Sequence, residues 1–236
     1  MEGPRYGIDA PGVIRNFALL AVGGIAGGWF LHSSGSGLRG FARPLLWMGS
    51  WFAITAVVML GSSLWGKFRA RDALLDSIPW SGNERVLDVG CGHGLLLLAA
   101  AKRLRGGRAT GIDLWSQKDQ AANSAQATRR NAELEGVADR VEIMDGDARR
   151  LPFADATFDV VLSSLAIHNI EDRDERATAI REMVRVLVPD GYVGIIDIRH
   201  DYSSLLEAAG ARCIRKRWSL LFALITRTVT ARKGAS

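Results

Sequence analysis

The chain has 236 residues, enough for one ordinary domain plus an appendage, and its 48% hydrophobic and 23% charged residues exclude a disordered or collagen-like chain. Its net charge of +5 is too mild to mark a nucleic-acid surface, so no nucleic-acid partner is expected. Cys91 and Cys213 lie far apart, which excludes a disulfide framework or a cysteine-rich metal centre and suits a reducing compartment. Charge is distributed unevenly: residues 1–66 hold six of the 55 charged side chains and residues 67–236 hold 49. The division predicts an N-terminal membrane anchor over 1–66 and a folded domain over 67–236.

Within the anchor, residues 16–38 and 44–66 carry no Asp, Glu, Lys or Arg, and each run is 23 residues long. A helix needs about 20 such residues to cross a hydrocarbon core. Both runs are therefore candidate spans, with Trp47 and Trp65 as interfacial anchors of the second. The first carries Gly23, Gly24, Gly27 and Gly28, a small-residue face that lets a neighbouring backbone approach closely. A cleaved signal peptide or a soluble helical pair would show similar runs. Basic residues around the runs weakly favour the cytoplasm for both ends, and hence for the domain that follows.

From 67 to 78 the chain is basic and amphipathic, and beyond it strands and helices alternate. Strands are expected at 85–89, 109–113, 141–144, 158–163 and 192–198, and helices at 95–104, 118–135, 173–187 and 203–209. Two further β segments are expected at 212–219 and 224–231. Alternation of this kind predicts an α/β fold, a doubly wound and mostly parallel sheet whose ligand sits beyond the carboxyl ends of the strands.

The residues of chemical interest fall there. Asp88-Val89-Gly90-Cys91-Gly92-His93-Gly94 is a strand end feeding a glycine turn and then a helix. Glycines allow a ligand close to backbone N–H groups, but such a loop serves several nucleotide cofactors. Asp113 ends the next strand, where a carboxylate can accept ribose hydroxyls; nicotinamide enzymes share this feature. Later motifs discriminate: Asp147-Ala148 after strand three, Leu151-Pro152-Phe153 before Phe158-Asp159-Val160-Val161, and Val186-Leu187-Val188-Pro189-Asp190-Gly191-Tyr192.

With these motifs, about residues 80–200 resemble the class I S-adenosylmethionine-dependent methyltransferases, most closely the small-molecule branch of ubiquinone/menaquinone and sterol C-methyltransferases. The resemblance implies a Rossmann-like seven-stranded sheet closed by an antiparallel C-terminal hairpin, with S-adenosyl-L-methionine as cofactor. It also implies that Gly90, Cys91 and Gly92 approach the methionine part, with Asp88 supporting the loop. By the same resemblance Asp113 holds the ribose, Leu114 or Trp115 packs on adenine, Asp147 and Ala148 read its amino edge, and Ser163 approaches the methionine amino group or the substrate entrance. The Asn/Asp-Pro-Pro-aromatic motif of nucleic-acid and protein N-methylating relatives is replaced here by Ser163-Ser164-Leu165-Ala166, which argues against a base amino group as acceptor.

His168 follows strand four, where an acceptor should sit, and an imidazole suits removal of its proton. A structural hydrogen bond is the alternative role for His168. Asp197 and His200 follow strand five at the same rim, whereas His93 and His32 are weaker candidates. No metal site is expected. The function that emerges is transfer of a methyl group, at a membrane, to a small and lipid-soluble acceptor. A silent cofactor-binding module at the membrane and a nicotinamide-dependent dehydrogenase are the rivals. Nothing in the pattern specifies an oligomeric state.

Overall fold

The computed structural model describes the chain except residues 1, 2, 5, 36, 117–122, 199, 222–223 and 236. It falls into two compact units, one of residues 1–7, 68–219 and 225–236, the other of residues 8–67 and 220–224.

In the smaller unit, helices α1 (Pro11–Ser33) and α2 (Ala42–Gly61) form an antiparallel pair, and a π-helical turn, Ser62–Gly66, follows α2; all but the first residue of α3 (Lys67–Leu75) belongs to the larger unit. Both helices of the pair are long and apolar enough to cross a membrane. Only part of the expected glycine face is used. Cβ atoms on Gly24 and Gly28 would press into the α2 backbone, and one on Gly49 would lie 2.7 Å from the Ile25 nitrogen; Gly23 faces open space. Phe17 stacks on Phe52 farther along the pair. The outer side chains are uncovered, with Trp29, Trp47 and Trp51 each at least two-thirds exposed. At the open end, Lys67 Nζ and the Ser63 hydroxyl both donate to Asp9 Oδ2, at 2.9 and 2.8 Å, tying the start of α1 to the end of α2.

The first expected span overshoots. Helix α1 ends at Ser33, and Gly35 turns the chain with a φ of +67°. Residues 34, 35, 37 and 38 are free of charge but not helical, because the chain turns at Gly35 where length alone suggested a continuing helix.

In the larger unit the strands are β1 (Arg85–Val89), β2 (Arg108–Asp113), β3 (Val141–Asp145), β4 (Phe158–Ser164), β5 (Leu187–Ile198), β6 (Ala211–Leu221) and β7 (Leu224–Lys233). They form one sheet in the order β3-β2-β1-β4-β5-β7-β6, with β1 to β5 parallel and β7 antiparallel to β5. Neighbouring residues on a strand serve opposite faces. Leu87 and Val161 join the core with helices α6 (Arg173–Arg185) and α7 (Ser203–Ala208), whereas Val86 and Val160 join the one with α3 and α4 (Leu95–Ala101). Cover on both faces is why the central strands read as unbroken apolar runs.

The junction of α6 and β5 differs from expectation. Helix α6 stops at Arg185, and β5 begins at Leu187 instead of Tyr192. The register jumps between Phe158↔Leu187 and Val160↔Tyr192, and Asp190 has a φ of +60°, so Pro189 and Gly191 form an irregularity within the strand and do not precede it. Helix α5 (Ala125–Leu134) is capped by Ser124, whose side chain accepts from the Ala127 N–H. Residues 118–122 of the expected helix lie outside the described residues.

Candidate active site

The site grows from the end of β1. Gly90, Gly92 and Gly94 all have positive φ, and a Cβ on Gly90 would collide with the Ala166 side chain beyond β4. The loop is held from several sides. Gly90 and Cys91 donate to the Ile112 carbonyl at 2.8 and 3.0 Å, Thr128 Oγ1 donates to Gly92 O at 2.6 Å, and Asn131 Nδ2 donates to His93 O at 3.0 Å. Thr128 and Asn131 come from α5, and their role was invisible in sequence because two polar residues on a polar helix give no signal.

Asp88 is 1% exposed. Its Oδ2 accepts the Leu97 N–H at 2.9 Å, capping the first turn of α4, while Oδ1 is buried with no partner among the described residues. Burial pushes its carboxyl from 3.8 up to about 7, and the nearby Asp113 carboxylate adds to the rise. Asp113 closes the loop: Oδ2 accepts from Gly92 N at 2.8 Å, and Oδ1 from Trp115 N at 2.6 Å and Asn123 Nδ2 at 3.2 Å. Trp115 has a φ of +57°, and its indole N–H donates to Asp145 Oδ1 at 2.6 Å; Leu114 beside it is 64% exposed. Burial, with the Asp88 and Asp113 carboxylates, raises the Cys91 thiol well above its ordinary value, so Cys91 fills space and is no nucleophile.

Asp147 follows β3 but is engaged by Arg149, whose Nε and Nη2 reach its carboxylate at 3.0 and 2.6 Å. These bonds hold the Asp147 pKa down. Ala148 packs on the core. Arg149 also donates to Glu175 at 2.7 Å, which ties the segment after β3 to the first turn of α6. The Leu151-Pro152-Phe153 run is buckled to α6: Glu182 accepts from Leu151 N, and Arg185 donates to Phe153 O and Leu151 O.

Strand β4 extends one residue beyond expectation, to Ser164, and Ser163 lies within it. Ser163 is fully buried, and its hydroxyl donates to Val89 O at 2.8 Å, a strut beneath the glycine loop. Asp197 likewise lies inside β5 and is 1% exposed. It collects four hydrogen bonds: His168 Nδ1 lies 2.5 Å from Oδ1, Ile198 N donates to Oδ1 at 2.8 Å, and His168 N and the Tyr202 hydroxyl donate to Oδ2 at 3.0 Å each. Tyr202, itself 2% exposed, had no sequence signal. Burial and Asp197 push its hydroxyl pKa up. His200 stacks obliquely on Tyr202 at 6.1 Å, and His93 is buried in the glycine loop. Among the described residues no three His, Cys, Asp or Glu side chains gather as a metal site.

A cavity of about 380 Å³, lined by Ser81, Glu84, Asp159 and Pro189 among others, lies at the amino ends of β1 and β4. It is at the opposite end of the sheet from the loop, so it is not the candidate site.

Charge discriminates between cofactors. Among the described residues, Asp88, Asp113 and Asp145 take their hydrogen bonds from neutral N–H groups. A carboxylate-rich cradle with an unpartnered buried oxygen fits a ligand with cationic centres and a ribose diol, and would repel a pyrophosphate. The donor set therefore fits S-adenosyl-L-methionine and opposes a nicotinamide dinucleotide.

Comparison with known proteins agrees. Residues 87–195 match a family model described as a methyltransferase domain. The chain is 34% identical over 133 residues to the chloroplastic 2-phytyl-1,4-beta-naphthoquinone methyltransferase of Arabidopsis thaliana, covering 55% of this chain and 48% of that one. It is 33% identical over 127 residues to the ubiquinone/menaquinone biosynthesis C-methyltransferase of Roseobacter denitrificans, covering 54% and 47%. The chain thus spans about half the length of these curated relatives. Among solved structures, the [4+2]-cyclase SpnF shares the fold with a TM-score of 0.59 at 22% identity, over 72% of this chain and 82% of that one. Residues 87–195 form a class I S-adenosylmethionine-dependent methyltransferase domain.

Proposed function

We propose that the whole chain transfers a methyl group from S-adenosyl-L-methionine to a small, lipid-soluble, quinone-type acceptor, and that α1 and α2 anchor it in a membrane with the catalytic unit on the cytoplasmic side. The observation that carries the reaction is the His168–Asp197 pair beyond β4, whose neighbour Ala166 touches the glycine loop at Gly90. The quinone methyltransferases among the relatives support the acceptor class. Two uncovered apolar helices support the anchor.

When bound, the cofactor supplies a methyl carbon already activated by a sulfonium charge, so the protein's share is alignment, exclusion of water and handling of the acceptor's proton. Gly90 and Gly92 would admit the methionine part, Asp113 would hold the ribose, and Asp88 would offset the cationic centres. Leu114 and Trp115 would flank the adenine, with Asp147 and Ala148 at its amino edge. Asp197 holds the Nδ1 side of His168, the tautomer that leaves Nε2 as acceptor. Nε2 then takes the proton of a hydroxyl or activated carbon, and Asp197 stabilises the imidazolium that results.

The test is incubation of the full chain with lipid extracts and methyl-labelled cofactor, followed by untargeted mass spectrometry. Label in a quinone-type lipid is expected. Tight cofactor binding with no labelled product across the extracts would replace the reading with a silent binding module.

A further inference from the structure

We propose that the β6–β7 hairpin is a second lipid-contacting element, which docks on the surface of an anionic bilayer through its basic strand and the residues flanking its turn. This rests on the membrane reading of α1 and α2 and extends it to the far end of the chain. From Ala211 to Lys233 there is no Asp or Glu, against seven basic residues, a larger positive charge than the net +5 of the whole protein. Arg215, Lys216 and Arg217 are exposed on β6, the outermost strand of the sheet. From Trp218 to Thr226 no residue is charged. Trp218 and Ile225, on either side of the turn, are 58% and 61% exposed, and the Arg227 guanidinium lies 4.5 Å from the Trp218 ring centre. Ile225 lies on the side of β7 that farther along carries the buried Val229 and Ala231, so its exposure is confined to the turn end of the strand.

Protection of a sheet edge is the simpler account of charges on β6. It explains neither the absence of either acid across the hairpin nor two large apolar side chains left in water beside the turn. A cationic strand leading to an aromatic and an aliphatic residue matches a bilayer interface: basic groups meet anionic headgroups while Trp and Ile enter the acyl boundary. Lys216, on the Trp218 side of β6, is partly offset by Asp201 at 3.0 Å, and Arg215 and Arg217 project from the other side of this edge strand, so the hairpin presents cations on both sides to a bilayer that it meets edge-on. An RNA would use the same cations but gains nothing from an exposed aliphatic side chain beside an uncharged turn.

The experiment uses the full chain with Cys213→Ser, reconstituted in phosphatidylcholine–phosphatidylglycerol vesicles, with one spin label introduced by Ile225→Cys. Separate samples carry the label at Ile54→Cys, on the exposed face of α2, or at Asp155→Cys as an aqueous control. Collision with a water-soluble nickel chelate is expected to fall at least about threefold at 225 relative to 155, with oxygen collisions retained. Adding Arg215→Glu, Lys216→Glu and Arg217→Glu, or omitting phosphatidylglycerol, should reverse that protection. A water-accessible 225 with a shielded 54 would overturn the hairpin proposal and leave the anchor standing. A shielded 225 with an accessible 54 would do the opposite. Shielding at 225 only on addition of single-stranded RNA would assign the surface to nucleic acid and sink the lipid reading.

Discussion

His168 and Asp197 are 29 residues apart in sequence, yet Nδ1 and Oδ1 lie 2.5 Å apart, and the same carboxylate holds the His168 backbone N–H. One buried acid thus fixes both the ring and the turn that carries it. Adjacent parallel strands make this possible, because Ser164 of β4 pairs with Ile196 of β5 and brings the two strand ends to one rim.

If His168 removes a proton in the reaction, His168→Ala should lower kcat by about 100-fold or more with KM little changed. Asp197→Asn should produce a comparable loss, since an amide neither fixes the tautomer nor stabilises the imidazolium. The double variant should be no worse than the more damaging single one. Steady-state kinetics across pH checks this, and additive losses would show that the two residues act separately.

Gly90→Ala should cost stability twice over, once from a φ of +73° and once from collision with Ala166. A loss of about 2–4 kcal/mol is expected from strain and overpacking together. Adding Ala166→Gly should restore only the steric part. Denaturant melts of the single and double variants separate the two contributions.

Asp113→Ala removes the acceptor of Gly92 N, Trp115 N and Asn123 Nδ2 together. Affinity for S-adenosylhomocysteine should fall at least about tenfold, the effect of losing a single charge-assisted bond. Calorimetry measures it, and unchanged affinity would remove Asp113 from the site.

Asp88 predicts a pH dependence. Its carboxyl titrates at about 7 in the fold against 3.8 ordinarily, so between those values the folded state binds more protons than the unfolded chain. Stability should therefore decline as pH rises from 3.8 towards 7 and level off above it. Affinity for the cationic cofactor should run the other way, rising as Asp88 ionises. Asp88→Asn should flatten both profiles in thermal melts and binding titrations.

In the helical pair, Gly49→Ile should force α1 and α2 apart, because its Cβ position is only 2.7 Å from the Ile25 nitrogen, whereas Gly23→Ile meets nothing within 4 Å. The yield and melting temperature of the full chain in detergent should drop for the first and hold for the second.

Much of the chain could be read locally. The two charge-free runs, the alternation of strands and helices, the glycine loop and Asp113 depend on spacing within a few residues, and composition and periodicity record such spacing directly. Sheet order, the joint hold of His168 and Tyr202 on Asp197, the clamp of Thr128 and Asn131 on the loop, and the tie of Arg149 to Glu175 were decided by tertiary structure. So were the burial of Ser163 within β4 and the choice of Gly24 and Gly28, but not Gly23, for helix contact. Each of these depends on which strand or helix comes to lie beside another. Sequence order alone does not specify a neighbour, because crossovers and helix crossings are selected by burying both faces of the sheet and the glycine side of a helix at once.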